Sequence, residues 1–246
     1  MLVSQSLLVT LVEIAAAAAH RVLDVYDTPF TVEHKGPHDP VTDADRQSNA
    51  LLVDRLPHAC PGVPVVSEES DPRAFGDLRR AERVLFVDPL DGTREFVDRN
   101  GEFAVMIGLV VGRDAVAGVI HAPVPGVAWV GGPGLGAWRV EPLGAWVPIH
   151  VSVTAELTQA RLVASRSHRS ARLEGTLATL AAREVRSMGS AGLKGAQVAQ
   201  GLAEAYVDPG HGLKRWDVCA IDALVTGAGG RVSDVAGVPY RMATIW

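Results

Sequence analysis

The 246-residue chain is poor in lysine, cysteine and aromatic side chains, and each shortage narrows what it can be. Only Lys35, Lys194 and Lys214 are lysines; the other basic residues are arginines, and 28 acids outnumber 23 bases to leave a net charge of −5. That balance argues against a surface that wraps polymeric nucleic acid, which needs clustered positive charge to neutralise phosphates. The two cysteines, Cys60 and Cys219, stand far apart in no metal-binding spacing. A disulfide framework is therefore not expected, and a reducing, cytoplasmic setting is. Long apolar runs are also scarce. The best, Leu7 to Ala19, is interrupted by Glu13, has no Lys or Arg before it, and is too short for a bilayer. It reads as part of a packed helix from Ser4 to Tyr26, not as a signal peptide or a membrane span.

What is present is an alternation of helical and strand patterns. A helix is expected over Asp43 to Leu56, broken at Pro57, then a strand over Val63 to Val66. Arg83 to Val87 reads as a strand that stops at Asp88. Phe103 to Val111 and Ala115 to His121 form a hairpin about Gly112-Arg113-Asp114, and Val127 to Val130 and Ala137 to Val140 extend the meander. Gly132-Pro-Gly-Leu-Gly136 lacks the Gly-Lys-Ser/Thr ending of a phosphate loop and is taken as a hairpin turn. The composition shifts over residues 142–160. A strand at Arg161 to Ser165, a helix at Ala171 to Arg183, a helix at Lys194 to Gln200, a strand at Ala203 to Val207 and a helix at Asp217 to Gly227 follow. The expected class is mixed α/β, with an N-terminal subdomain (1–148) and a C-terminal subdomain (149–246) meeting at a cleft.

Four acidic groups fall at expected strand ends or helix starts. Asp88-Pro-Leu-Asp91-Gly-Thr places two carboxylates three residues apart, followed by a glycine turn that frees backbone N–H groups at the next helix start. A phosphate docking there would be repelled by the carboxylates unless a hard divalent cation lay between them. Glu68-Glu69 follows another strand. Asp45 lies in Thr42-Asp-Ala-Asp45, which is also a capping box, and Asp217 opens a helix where an acid favours the dipole. Each has an ordinary structural explanation alone; four in one chain point to a site.

Taken in order, Pro40-Val-Thr-x-Ala-Asp45, Ser67-Glu-Glu-Ser70, Asp88-Pro-Leu-Asp-Gly-Thr-x-x-Phe96 and Trp216-Asp-x-x-Ala with a later Ala-Gly-Gly resemble the inositol monophosphatase family, magnesium-dependent and lithium-sensitive phosphatases. The stretch from Asp91 to Phe103, with Ser165-Arg-Ser-His168 and Gly192-Leu-Lys194, is most similar to its CysQ-like 3′(2′),5′-bisphosphate nucleotidase branch. The resemblance implies the layered αβαβα sandwich of the inositol monophosphatase and fructose-1,6-bisphosphatase type. It also implies two to three Mg²⁺ ions: Glu68, Asp88 and the Leu90 carbonyl at one, Asp88, Asp91 and Asp217 at a second, and Glu68 again at a weaker third. Asp45 and Thr93 would orient the attacking water, with Glu68 counted among the catalytic groups. Gly92, Thr93, Asp217, Ser165, His168 and Lys194 would contact substrate. The implied reaction removes the 3′-phosphate of adenosine 3′,5′-bisphosphate. The alternatives are an inositol or small sugar phosphate, or a phosphate-binding protein without turnover. Gly210 stands where inositol-specific members carry a glutamate, which weakens the inositol alternative and leaves His211 and Lys214 to meet a second phosphate or a base. Family members run on beyond the position of Trp246 into a further strand, and many pair as homodimers, on which this sequence is silent.

Overall fold

A computed structural model describes residues 3–36, 39–75, 78, 81–210 and 212–242. Helix α1 (Gln5–Tyr26) starts at Ser4, whose hydroxyl accepts the Leu7 N–H at 3.2 Å. Strands β1 (Val32–Gly36) and β2 (Asp39–Thr42) pair antiparallel and deliver the chain to helix α2 (Asp43–Ala59). A seven-stranded sheet follows, from β3 (Val65–Ser67), β4 (Arg83–Asp91), β5 (Ala104–Val111), β6 (Asp114–Ala122), β7 (Val127–Gly132), β8 (Gly136–Val140) and β9 (Trp146–Pro148), in that spatial order. The short helix α3 (Thr93–Val97) lies between β4 and β5. A second sheet is parallel, with β10 (Arg161–Ser165) between β11 (Glu184–Met188) and β12 (Ala205–Tyr206). Helices α4 (Ala171–Leu180), α5 (Ala191–Ala199) and α6 (Arg215–Gly227) complete the chain.

Strand period two sorts the large sheet's side chains onto two faces. Leu85, Val87, Val105, Ile107 and Val119 pack against α1 and α2; Ala104, Met106 and Ile120 pack against α5 and α6. Both faces are covered, which is why these strands read as almost unbroken apolar runs. The other side of α5 meets β10 and β12, and Leu162 and Ala164 of that sheet pack with Leu173 and Leu177 of α4. The layers are therefore α1/α2, large sheet, α5/α6, small sheet, α4: the expected αβαβα sandwich.

Helix α6 crosses the sheet centre with no room to spare. A Cβ on Gly108 would lie 2.4 Å from Cys219 Sγ, and one on Gly118 would lie 2.3 Å from the Ala220 carbonyl oxygen. These two glycines set how deeply the helix that carries Asp217 can sit.

Several elements depart from the sequence expectations. Helix α1 has 22 residues, long and apolar enough to cross a membrane, but Leu8, Leu11, Ala15, Ala18 and Val22 are fully buried in the core, so its apolar stripe is accounted for by packing. Helix α2 runs through Pro57, whose missing N–H deprives only the carbonyl of Val53, on the exposed side. Strand β4 does not stop at Asp88; it bulges there and pairs again at Asp91 with Ala104. Strand β11 falls where no element is expected, and α4 ends before the expected Arg183. β11 is an edge strand whose residues Glu184 to Ser187 are exposed, so it carries no apolar alternation to betray it. Helix α5 begins three residues before Lys194 and α6 two before Asp217, while β12 is shorter than expected.

Candidate active site

The site forms where β3, β4, α2, α5 and α6 end or begin together. Parallel pairing of Ser67 with Val87, continued by the Glu68 N–H on the Val87 carbonyl at 3.1 Å, sets Glu68 beside Asp88. Asp217 enters from the first turn of α6, where its Oδ2 accepts the Lys214 N–H at 2.6 Å. Carboxylate oxygens of Glu68, Asp88 and Asp217 all lie within 4.8 Å of one another. Three carboxylates at this spacing repel unless protons or a cation neutralise them.

Asp88 shows the strain most clearly. It is 2% exposed, and burial, with Glu68, Asp91 and Asp217 around it, holds its carboxyl well above the usual range. Its Oδ1 accepts the Leu90 N–H at 3.0 Å. Burial, reinforced by Asp91 and Asp208, pushes Asp217 up to about 7 against the Lys214 backbone bond and charge. The donors are carboxylate and carbonyl oxygens, a hard set that suits Mg²⁺ or another hard divalent cation rather than zinc or copper. These residues fit the ion that the sequence implies.

Asp91 is placed differently from the other three. Its Oδ2 accepts the Gly192 N–H at 2.7 Å and the Ser190 hydroxyl, and its Oδ1 accepts the Ala191 N–H at 3.1 Å. It lines the same cavity while binding the start of α5, thereby fastening the large sheet to the helix layer behind it.

The turn after Asp91 needs glycine: Gly92 has φ of +96°, and a Cβ there would come 3.0 Å from the Glu102 carbonyl oxygen. Phe96 N–H closes on the Gly92 carbonyl at 3.0 Å, so the amides of Gly92, Thr93 and Arg94 open α3 without intrahelical acceptors. Gly92 and Thr93 both face the cavity. Thr93 Oγ1 donates towards Asp45 Oδ1 (3.1 Å) and the Leu90 carbonyl (3.2 Å). The capping box exists as the sequence suggests, with Asp45 Oδ2 accepting the Thr42 N–H at 2.7 Å and the Thr42 hydroxyl at 2.8 Å. Asp45 is nonetheless buried enough that its carboxyl rises to about 6. Capping and a place in the site coexist in one residue.

The far wall comes from the small sheet and α5. Ser165, His168 and Lys194 line the cavity, whose volume is about 350 Å³. Lys194, 3% exposed, donates to the Ser190 and Met188 carbonyls at 2.7 and 3.3 Å and lies 5.1 Å from the Tyr206 ring centroid. Ser165 Oγ accepts the His168 N–H at 3.0 Å. Lys214 reaches the cavity rim, whereas His211 lies outside the described residues. Sequence reasoning missed the supporting groups. Ser48 donates to the Pro89 carbonyl at 2.8 Å and Ser67 to Asn49 Oδ1 at 2.6 Å, which tie α2 to both acidic segments. Glu102 accepts the Gly189 N–H at 2.6 Å while paired with Arg166. Arg94, Glu95 and Tyr206 line the cavity as well. Of these, Arg94, Glu95 and Glu102 lie within the longest motif, so adjacency was their one available signal.

Comparison with known proteins shows the family. The chain is 37% identical over 230 residues to the 3′(2′),5′-bisphosphate nucleotidase CysQ of Escherichia coli K12, covering 92% of this chain and 90% of that one. It is also 37% identical over 204 residues to an inositol-1-monophosphatase of Mycobacterium bovis, covering 80% and 69%. Among solved structures, CysQ from Bacteroides thetaiotaomicron superposes with a TM-score of 0.79 at 28% identity, covering 96% and 92% of the two chains. The inositol monophosphatase from Anabaena (Nostoc) sp. PCC 7120 gives 0.81 at 30% identity, covering 98% and 88%. With the inositol monophosphatase family profile matching residues 4–244, the chain belongs to that family.

Proposed function

We propose that this protein is a Mg²⁺-dependent phosphomonoesterase that removes the 3′-phosphate of adenosine 3′,5′-bisphosphate, releasing AMP and phosphate. The observation that carries the reading is the trio of Glu68, Asp88 and Asp217, with Asp88 buried and the other two half-buried, an oxygen-only donor set with too much negative charge to stand unneutralised. The CysQ relatives, similar over nine-tenths of both chains, support the choice of substrate. Glu68, Asp88, Asp217 and the Leu90 carbonyl, with Asp91 beside them, would hold the ions. When bound, Mg²⁺ would polarise phosphoryl oxygens and make water acidic enough to supply hydroxide near neutral pH.

The chain's own residues do the rest. Unpaired amides at Gly92 and Thr93 hold phosphate oxygens at the start of α3. Thr93 Oγ1, fixed between Asp45 Oδ1 and the Leu90 carbonyl, orients the attacking water. Asp45 accepts its proton at Oδ1, and a carboxyl raised to about 6 by burial is well matched to that task at neutral pH. Ser165, His168 and Lys194 form the wall against which the rest of the substrate lies. Lithium inhibition, a cytoplasmic location and homodimer formation belong to the same reading.

The test is phosphate release, at millimolar Mg²⁺, from adenosine 3′,5′-bisphosphate and from inositol 1-phosphate. A clear preference for the nucleotide is expected. Preference for inositol phosphate would overturn the substrate, and tight binding of the nucleotide without turnover would overturn the enzyme.

A further inference from the structure

We infer that Arg94 is a specificity-determining residue that reads the second, non-reacting anionic group of the substrate. The cavity wall carries several cations, and they differ in what their donors already do. Lys194 spends two of its three N–H donors on backbone carbonyls and lies beside an aromatic ring, so its buried ammonium keeps one donor at most for a ligand. Arg94 follows Gly92 and Thr93 directly but reaches across the cavity to the opposite layer, donating from one guanidinium nitrogen to the Ser167 carbonyl at 3.0 Å. Among the described residues that is its hydrogen bond, and no carboxylate pairs with it, which leaves most of its five N–H donors for a ligand. The neighbouring acid does not serve it: Glu95 accepts the Ser167 hydroxyl instead. His168 stands close enough for the Arg94 charge to help depress its basicity, burial being the larger cause.

The cavity thus has the carboxylates of Glu68, Asp88 and Asp217 at one end, while at the other Arg94, beside His168 and the acids Glu95 and Asp208, offers uncommitted guanidinium donors. A guanidinium anchored at one nitrogen is pre-set to meet a phosphate with two parallel N–H bonds. A substrate with a single phosphate satisfies the acidic end through its cation and leaves Arg94 unused. One with a second phosphate on the same skeleton satisfies both ends.

Because this assignment rests on the bisphosphate reading above, its test compares two ligands that share a nucleoside: adenosine 3′,5′-bisphosphate and adenosine 3′-monophosphate. Arg94→Gln removes the charge and leaves a shorter amide donor; Arg94→Lys restores charge without the fork. The expected result is a loss of about 30-fold in kcat/KM on the bisphosphate for Arg94→Gln, carried by KM, against less than about 3-fold on the monophosphate. Arg94→Lys should recover part of the loss. Equal losses on the two ligands would mean that Arg94 only braces the cavity wall, and unchanged kinetics would mean that it touches neither; either result overturns the assignment. Calorimetric affinities for the same pair give the same comparison without turnover, and a wild type that binds both equally also overturns it. Failure of the substrate reading looks different, since there the wild type prefers inositol 1-phosphate to both nucleotides.

Discussion

Asp88 concentrates the conflict on which the site is built. A carboxylate 2% exposed, with three other acids around it, destabilises the metal-free chain if it ionises. Asparagine has the same shape, and its Oδ1 can still accept the Leu90 N–H that Asp88 accepts at 3.0 Å. Asp88→Asn therefore separates fold from function. Phosphatase activity should fall by about a thousand-fold or more, while the metal-free melting temperature stays level or rises. Activity within a few-fold of wild type would remove Asp88 from the site. Asp45 makes a complementary point. Its capping box is visible in Thr42-Asp-Ala-Asp45, and the family resemblance pairs it with Thr93, whose hydroxyl donates to it at 3.1 Å. What the sequence could not display is that one carboxylate does both, Oδ2 on the cap and Oδ1 on Thr93.

Helix α6 shows how an element far from the chemistry sets its geometry. Asp217 reaches the trio because the helix lies almost on the backbone of β5 and β6, at Gly108 and Gly118. A methyl group at Gly118 would meet the Ala220 carbonyl at 2.3 Å, backbone against side chain, so the helix itself must lift. Gly118→Ala should cost about 2 kcal/mol in stability and lower activity at fixed Mg²⁺, because Asp217 lies one turn before Ala220 on the displaced helix. Denaturant unfolding and a Mg²⁺ titration of activity measure the two effects. A stable variant with normal Mg²⁺ dependence would mean that the helix tolerates the shift. The central strands of the large sheet and both long N-terminal helices were legible because burial leaves near-continuous apolar runs in the strands and an apolar stripe on the helices, whereas β9, a half-exposed edge strand, was not. Nor was β11, since an exposed edge needs no such run. The early start of α5 does carry a local cap, Ser190, whose hydroxyl accepts the Leu193 N–H at 3.0 Å; what the chain cannot display is that Asp91, about a hundred residues earlier, accepts the Ala191 and Gly192 N–H groups. Arg94 and Glu102 belong to the same class, partners across layers that adjacency in the chain does not reveal.

For the molecule as a whole, the net charge of −5 excludes phosphate polymers less by its size than by its placement. Glu68, Asp88, Asp91 and Asp217 gather at the junction of the large sheet with α5 and α6, so folding brings together charges that the unfolded chain keeps apart. Any cation that binds this junction but not the unfolded chain must stabilise the fold by mass action. At a free concentration a hundred times its dissociation constant the gain is about 2.7 kcal/mol. For a chain of 246 residues that corresponds to a rise in melting temperature of roughly 5–10 °C. The sign is fixed: Mg²⁺ raises the midpoint, a chelator returns it, and monovalent salt at equal ionic strength cannot reproduce the effect, because it screens the acids without being held by several of them at once. Asp88→Asn should abolish most of the rise while leaving the metal-free baseline intact. A Mg²⁺-induced rise that persists in Asp88→Asn would move the cation to another part of the molecule, and no rise in the wild type would mean that the carboxylates are neutralised by protons instead.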